Sequence, residues 1–262
     1  MPDLTDIGVN LAHESFDGDR DDVVARAIAA GVNRMIITGT EVGASERAAE
    51  LAATKPGVFW STAGVHPHHS SELDGPGLAK LKVLLAQPQV VAVGETGLDF
   101  FRNFSPKADQ LAAFRAQLEL SAETGLPVFL HQRDAHDEFL RLLKDFKGYL
   151  VAGVAHCFTG DERELHDYLA LDLYIGITGW ICDERRGQHL QSLVGDIPTE
   201  RLLLETDAPY LLPRNLAKKP KTRRNEPHFL TQVLDTVAAA VGRPAEQLAS
   251  DTSANATRLF GL

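Results

Sequence analysis

The chain alternates short apolar runs with longer stretches of helical periodicity. The runs are rich in aliphatic and β-branched residues, as in strands that are buried on both faces of a sheet. They cover Leu4–Leu11, Arg34–Thr40, Val58–Val65, Val90–Glu95, Pro127–His131, Val151–His156, Leu173–Thr178 and Arg201–Thr206. Because strand and helix alternate along the whole chain, the pattern predicts βαβ units and a parallel sheet.

The predicted helices carry the usual end signals. Before the first helix, Asp19 is a candidate N-cap, and Gly31 stands where a terminating glycine belongs. Val23, Val24 and Ile28 share its apolar face. Further helices are predicted over Val42–Thr54, Leu78–Ala86, Ala108–Thr124, Asp134–Phe146, Asp161–Ala170, Glu184–Val194 and Glu226–Val241.

Eight strand–helix units of this length predict an α/β fold, a closed (β/α)₈ TIM barrel. An open doubly wound sheet is the alternative, but no Gly-rich dinucleotide-binding turn follows the first strand. The composition shows no break, so one domain over residues 1–262 is expected. The tail, Pro244–Leu262, predicts one or two short helices that close the barrel.

Composition and charge narrow the class of protein. Hydrophobic residues make up 44% and charged residues 24% of 262 residues, a globular composition with room for a large core. The net charge of −10 repels polyanions, so nucleic acid could bind only at a local basic patch. Two cysteines, an acidic N-terminal dozen and the lack of a long apolar run predict a cytoplasmic protein without signal peptide or membrane span.

Polar side chains stand at the carboxyl ends of several predicted strands, where the active sites of parallel barrels collect. Nitrogen and oxygen donors of this kind suit a divalent cation. For each residue alone, the alternative is an ordinary polar role, such as a helix cap or a buried ion pair. The residues at the strand ends are Asn10, His66, Glu95, His131, His156, Glu205 and Asp207.

Seven short motifs occur in order along nearly the whole chain. They are Asp6–Asn10, Gly64–Pro67, Gly94–Asp99, Leu130–Asp134, His156–Gly160, Glu205–Pro209 and Arg224–Pro227. With these motifs the sequence resembles the TatD family of metal-dependent deoxyribonucleases, within the amidohydrolase-like barrel superfamily. Asp6–Leu11 and Cys182–Arg186 resemble the branch of 3′–5′ exonucleases that act on single-stranded DNA and RNA.

The resemblance implies one or two divalent ions, usually Mg²⁺, phosphodiester hydrolysis and a role in DNA repair. Glu95 matches the family's glutamate that is shared by two metals. His131 and His156 match ligands of the second metal. Asp207 matches a ligand of the first metal and is a plausible base, whereas Glu205 is either a base or a residue that orients a ligand.

One motif departs from the family pattern. Most relatives begin with Asp-x-His-x-His, but Gly8 and Asn10 replace the two histidines here. Asn10 offers only an amide oxygen. His66 either compensates as a ligand or bonds a neighbouring backbone group, and both interpretations stay open. The remaining donors also fit Mn²⁺ or Zn²⁺.

A basic segment after the last strand is a candidate track for phosphates, with a solvated loop as the alternative. Aromatic residues in the same set of loops, Phe100, Phe101, Trp180 and Tyr210, could stack on bases or pack on the core. The candidate nucleic-acid-binding residues are Arg102, Arg133, Arg185, Arg214, Lys218, Lys219, Lys221, Arg223 and Arg224.

Two other functions compete with a nuclease. One is a superfamily hydrolase that acts on an amide, a lactone or a small phosphoester. The other is a barrel that has lost catalysis and only binds, which the missing histidine pair would favour. The sequence has no heptad or repeat that predicts assembly, so a monomer is the default expectation.

Overall fold

The computed structural model describes residues 3–262, and within them eight strands form one parallel sheet whose order follows the sequence. The strands are β1 (Leu4–Val9), β2 (Val32–Ile37), β3 (Phe59–Ala63), β4 (Val90–Asp99), β5 (Val128–Arg133), β6 (Gly153–Ala155), β7 (Tyr174–Ile177) and β8 (Leu202–Leu204). The predicted (β/α)₈ barrel is therefore confirmed.

Helices connect the strands and follow the last one. They are α1 (Arg20–Ala29), α2 (Val42–Ala53), α3 (Gly75–Leu85), α4 (Lys107–Thr124), α5 (His136–Asp145), α6 (Glu162–Leu169), α7 (Gln188–Leu193), α8 (Leu230–Val241) and α9 (Ala245–Phe260). The tail is thus a single helix, and α7 is shorter than predicted. Among the described residues, the helices lack the combined length and apolar character that crossing a bilayer requires.

Backbone hydrogen bonds join β1 to the chain just after β8. The N–H of Asp207 donates to the carbonyl of Gly8 over 2.8 Å, and the N–H of Asn10 donates to the carbonyl of Ala208 over 2.7 Å. These bonds link the first and last strands at their carboxyl ends. They place Asn10 beside Asp207, which are far apart in the sequence.

Helix α9 covers the amino end of the barrel. Its Ala256, Leu259 and Phe260 pack in one apolar cluster with barrel residues such as Ile7 and Phe129. A larger apolar layer lies between the strands and the other helices. Asn255 donates to the carbonyl of Leu202, and Ser253 donates to the carbonyl of Asp3. Since α9 covers the amino end of the barrel in this way, the carboxyl end is the end at which a substrate could reach an active site.

Strand β4 is longer than the sequence pattern predicted, because it continues past Glu95 to Asp99. Gly94 and Gly97 have φ angles of +142° and +146°, and a Cβ at either would collide with a carbonyl oxygen of β5. Glycine at both positions lets the two strands approach closely. Glu95 therefore lies inside the strand and not at its end, where the sequence pattern placed it.

Candidate metal centre

Glu95 lies at the meeting point of three imidazole rings. Its Oε1 is 3.0 Å from His131 Nδ1, 3.4 Å from His156 Nε2 and 3.4 Å from His66 Nε2. Strands β4 and β5 and the chain just after β6 supply Glu95, His131 and His156, while His66 follows β3. The structure therefore brings together four of the residues that the sequence singled out.

Glu205 fixes the orientation of His156. The Nδ1–H of His156 donates to Glu205 Oε2 over 2.6 Å, and the backbone N–H of Cys157 donates to Oε1 over 2.6 Å. Because Nδ1 keeps its proton on Glu205, Nε2 is the nitrogen that faces Glu95 and that would bind a cation in place of its own proton. An imidazole held by a carboxylate on one nitrogen, with the other nitrogen free, is the usual arrangement of a metal-binding histidine.

Asp99 stands in a similar relation to His131. Its buried carboxylate lies 3.6 Å from His131 Nε2 and accepts a hydrogen bond from His68 Nε2 over 2.8 Å. His131 Nε2 is itself buried and lacks a hydrogen bond within the described residues. His131 Nδ1 lies 3.0 Å from Glu95 Oε1 and donates a hydrogen bond to this carboxylate, so it is the ring nitrogen that would face a cation bound at Glu95.

His66 is oriented the opposite way. Its Nδ1 accepts the backbone N–H of His68 over 3.1 Å, at the start of the short 3₁₀ helix Pro67–Glu72. A neutral ring then carries its proton on Nε2, and burial keeps the pKa of His66 well below its ordinary value. His66 thus offers Glu95 a proton rather than a lone pair. Donor atoms of His66, Glu95 and His131 nonetheless lie within 4.8 Å of one another, so a role of His66 as a metal ligand stays a prediction.

Asp207 joins the site through His156. Donor atoms of His156, Cys157 and Asp207 lie within 4.8 Å of one another. Asn10 reaches the site through Asp207, because its Nδ2 donates to Asp207 Oδ1 over 3.0 Å. Burial, partly offset by His156, raises the pKa of Asp207 to about 7. Cys157 is half-buried at this site, and burial raises the pKa of its thiol to about 12.

The charges of the centre reinforce one another. Burial opposes ionisation of Glu95, yet His66 and His156 hold its pKa well below the ordinary value. Burial likewise favours neutral rings, but Glu205 and Glu95 raise the pKa of His156, and Asp99 and Glu95 raise that of His131. A buried carboxylate surrounded by imidazole nitrogens has the donor chemistry for a divalent cation, so these residues fit a metal.

The position of the missing first histidine is filled by Glu205. A Cβ on Gly8 would collide with Glu205 Oε2, and a Cβ on Gly176 would collide with Oε1. The two glycines leave room for the Glu205 carboxylate, which is fully buried. Glu95, His131 and His156 therefore lie together, and Asp207 lies beside His156 without the two histidines, whose positions are occupied by Gly8 and Asn10.

The structure separates the predicted nucleic-acid-binding residues into paired and unpaired groups. Arg214 bonds Glu184 over 3.0 Å, and Arg224 bonds Asp19 and Glu226 over 2.6 and 2.8 Å. Asp19 occupies the predicted N-cap position of α1, but its carboxylate binds Arg224 and makes no capping hydrogen bond to the helix. Arg185 lies 3.5 Å from Asp183.

The unpaired group is exposed. Within residues 3–262 its members form no ion pair, so their charge is free to meet a phosphate. The two paired arginines tie the ends of segment 214–224 to the loops after β7 and β1, which keeps the lysines between them at the open end of the barrel. The unpaired residues are Arg102, Arg133, Lys218, Lys219, Lys221 and Arg223.

Sequence reasoning assigned no role to Asp99 or His68, which adjoin the centre. A signal for Asp99 existed, because alternate residues of a strand face the same side and Glu95 and Asp99 are four apart. It was missed because the predicted strand ended at Glu95. His68 stands in the same motif region as His66, but only the 3₁₀ turn places its ring against Asp99.

Comparison with known proteins gives a consistent result. The family described as TatD related DNase matches residues 5–261. The 3′-5′ ssDNA/RNA exonuclease TatD of Erwinia tasmaniensis is 55% identical over 259 residues, covering 99% of this chain and 100% of that protein. The protein of the same name from Cronobacter sakazakii is 54% identical over 257 residues, covering 98% and 97%.

Solved structures show the same architecture. A TatD family hydrolase from Entamoeba histolytica superposes with a TM-score of 0.90 at 28% identity, covering 99% of this chain and 98% of that one. A TatD homologue from Escherichia coli gives a TM-score of 0.89 at 29% identity, with the same coverage. By its match over nearly the whole chain, and by relatives at more than half identity, this protein belongs to the TatD family of DNases.

Proposed function

We propose that the chain is a divalent-metal-dependent 3′–5′ exonuclease that hydrolyses phosphodiester bonds of single-stranded DNA and RNA. The observation that carries this proposal is the convergence of His131 and His156 on the buried Glu95 carboxylate, with Asp207 beside His156. Two relatives at 54% and 55% identity are named for this activity. Residues 1–262 would act as one domain, and the protein would work in the cytoplasm. A role of this activity in DNA repair stays a prediction.

Glu95, His131 and His156 would hold the metal, with Asp207 at its edge. Mg²⁺ is the expected ion, and Mn²⁺ or Zn²⁺ are the alternatives because imidazole donors suit them. Bound there, a divalent ion neutralises negative charge on the phosphoryl oxygens and eases ionisation of a water. Glu205 and Asp99 would act as positioning residues that hold His156 and His131 in the required tautomers.

Asp207 is the candidate general base. Its carboxylate is buried, and a pKa raised to about 7 suits proton transfer near neutrality. In the hydrolysis, a water oxygen forms a bond to phosphorus, its proton passes to Asp207, and the P–O bond to the leaving nucleotide breaks. The leaving oxygen takes a proton from solvent. Asn10, which donates to Asp207 Oδ1, would leave the other carboxylate oxygen for the water.

Digestion of a 5′-labelled single strand tests the proposal. The full chain is incubated with Mg²⁺, Mn²⁺ or Zn²⁺, next to an EDTA control, a blunt duplex and a circular single strand. We expect a ladder of products shortened from the 3′ end of the linear strand, with the circle intact. Glu95→Gln should abolish the ladder, while Glu138→Gln on the exposed face of α5 should keep it.

The other outcomes separate the competing functions. Cleavage of the circle would refute an exonuclease and indicate an endonuclease. No product with any metal would refute a nuclease and favour a barrel that only binds or that hydrolyses a different ester or amide. A ladder that persists in Glu95→Gln with an intact fold would contradict the assignment of the centre.

A further inference from the structure

Exposed aromatic rings gather at the open end of the barrel. Phe101 is 54%, Phe104 67% and Tyr210 53% exposed. Phe101 and Phe104 follow β4, and Tyr210 follows β8, so all three leave the carboxyl ends of strands. Exposed apolar side chains that share one surface often mark a site where a ligand or a partner binds.

Phe104 is in contact with the residues that surround the metal centre. Its ring lies edge-on to His68, with 4.7 Å between the ring centroids. His68 Nε2 donates to Asp99 over 2.8 Å, and Asp99 lies 3.6 Å from His131. The exposed face of Phe104 is therefore two side chains away from a proposed metal ligand.

Phe101 is placed next to unpaired positive charge. The guanidinium carbon of Arg133 lies 3.9 Å from the centre of its ring, and that of Arg102 lies 5.8 Å from it. Neither arginine forms an ion pair with any residue of 3–262. An aromatic face beside a free guanidinium is the combination that binds a single strand, because the ring stacks on a base and the cation meets the phosphate.

We propose that Phe101 and Phe104, here called the aromatic platform, bind unstacked nucleobases of a single-stranded nucleic acid beside the metal centre. The inference rests on the proposed function and adds how the substrate is selected. Arg102 and Arg133 supply the charge that the acidic molecule as a whole lacks. Phe100 and Trp180, in contrast, pack against the core and are less available to bases.

The aromatic platform explains why a single strand is preferred to a duplex. Bases in a duplex already stack on their neighbours, so a protein ring gains contact with them only after they are unstacked. A flexible single strand offers free base faces at lower cost. The platform recognises every base alike, because each base has a π-face, and so it gives strand selectivity without sequence selectivity.

Binding of two strands that differ only in having or lacking bases tests the aromatic platform. Labelled oligothymidine and an abasic sugar–phosphate strand of equal length are titrated with the full chain, with Ca²⁺ in place of Mg²⁺ and strand integrity checked on gels. Phe104→Leu keeps apolar packing against His68 but removes the aromatic face. We expect it to weaken oligothymidine binding by about tenfold and to leave the abasic strand unchanged. Phe104→Trp should restore binding.

Tyr149→Leu is the matched control, because Tyr149 is 71% exposed in the connection that leads to the amino end of β6, away from the site. It should leave both affinities unchanged. Equal effects of Phe104→Leu on the two strands, or no effect on either, would overturn the platform. So would wild-type protein that binds both strands equally. None of these results touches the digestion ladder, so the proposed function stands or falls separately.

Discussion

Glu205→Gln tests whether a buried carboxylate sets the tautomer of a proposed metal ligand. The two oxygens of Glu205 each accept one hydrogen bond of 2.6 Å, from His156 Nδ1 and from the Cys157 backbone N–H. A glutamine of the same shape has only one oxygen, so it cannot accept both. The backbone N–H cannot move its proton, whereas the imidazole can.

The expected result is therefore a change of tautomer at His156. With the glutamine oxygen on the Cys157 N–H, its amide group donates to Nδ1, and the His156 proton moves to Nε2, where it faces Glu95. The lone pair for the metal is lost. Changing such a supporting carboxylate weakens metal binding by about 10- to 100-fold, or about 1.4 to 2.8 kcal/mol.

Calorimetric titration with Mn²⁺ measures the affinity, and the nitrogen shifts of His156 in ¹⁵N NMR report the tautomer. Glu138→Gln, on the exposed side of α5 and paired with Arg141, is the control and should bind like wild type. Wild-type Mn²⁺ affinity in Glu205→Gln, with the proton still on Nδ1, would show that Glu205 does not orient His156.

Three further predictions concern stability and substrate binding. Burial raises the pKa of Asp6 in the folded protein to about 7 from its ordinary value of 3.8, so the free energy of unfolding should fall as pH rises between these values. Asp6→Asn should remove this slope, worth up to about 4 kcal/mol in thermal or urea unfolding. An unchanged slope would show that Asp6 is ionised throughout. Alanine at Lys218, Lys219 and Lys221 should reduce, by about 2, the slope of the logarithm of the oligonucleotide binding constant against the logarithm of salt concentration. A slope equal to that of the wild type would show that this segment does not contact the nucleic acid. Arg224→Ala should lower the free energy of unfolding by about 1 kcal/mol, because it breaks the ion pair of Arg224 with Asp19 after β1. If Arg223→Ala, which removes an exposed arginine without an ion pair among residues 3–262, lowered the free energy of unfolding by the same amount, the ion pair of Arg224 would have no specific role.

The barrel and the main members of the centre could be predicted from the sequence alone. Apolar runs separated by amphipathic stretches leave few ways to bury both faces of each strand, and a parallel barrel is one of them. Parallel strands also end on one side, so Glu95, His131, His156 and Asp207 were expected to meet there. These inferences hold because they depend only on periodicity and on strand direction.

The role of each side chain was decided by the tertiary structure. Which nitrogen of an imidazole faces the metal depends on what the other nitrogen bonds, and those partners come from distant parts of the chain. Asp99 for His131, Glu205 for His156 and the backbone of His68 for His66 all follow from packing. Sequence could count the donors at the centre, but proton positions depend on three-dimensional contacts, because a hydrogen bond acts over about 3 Å and not over residue number.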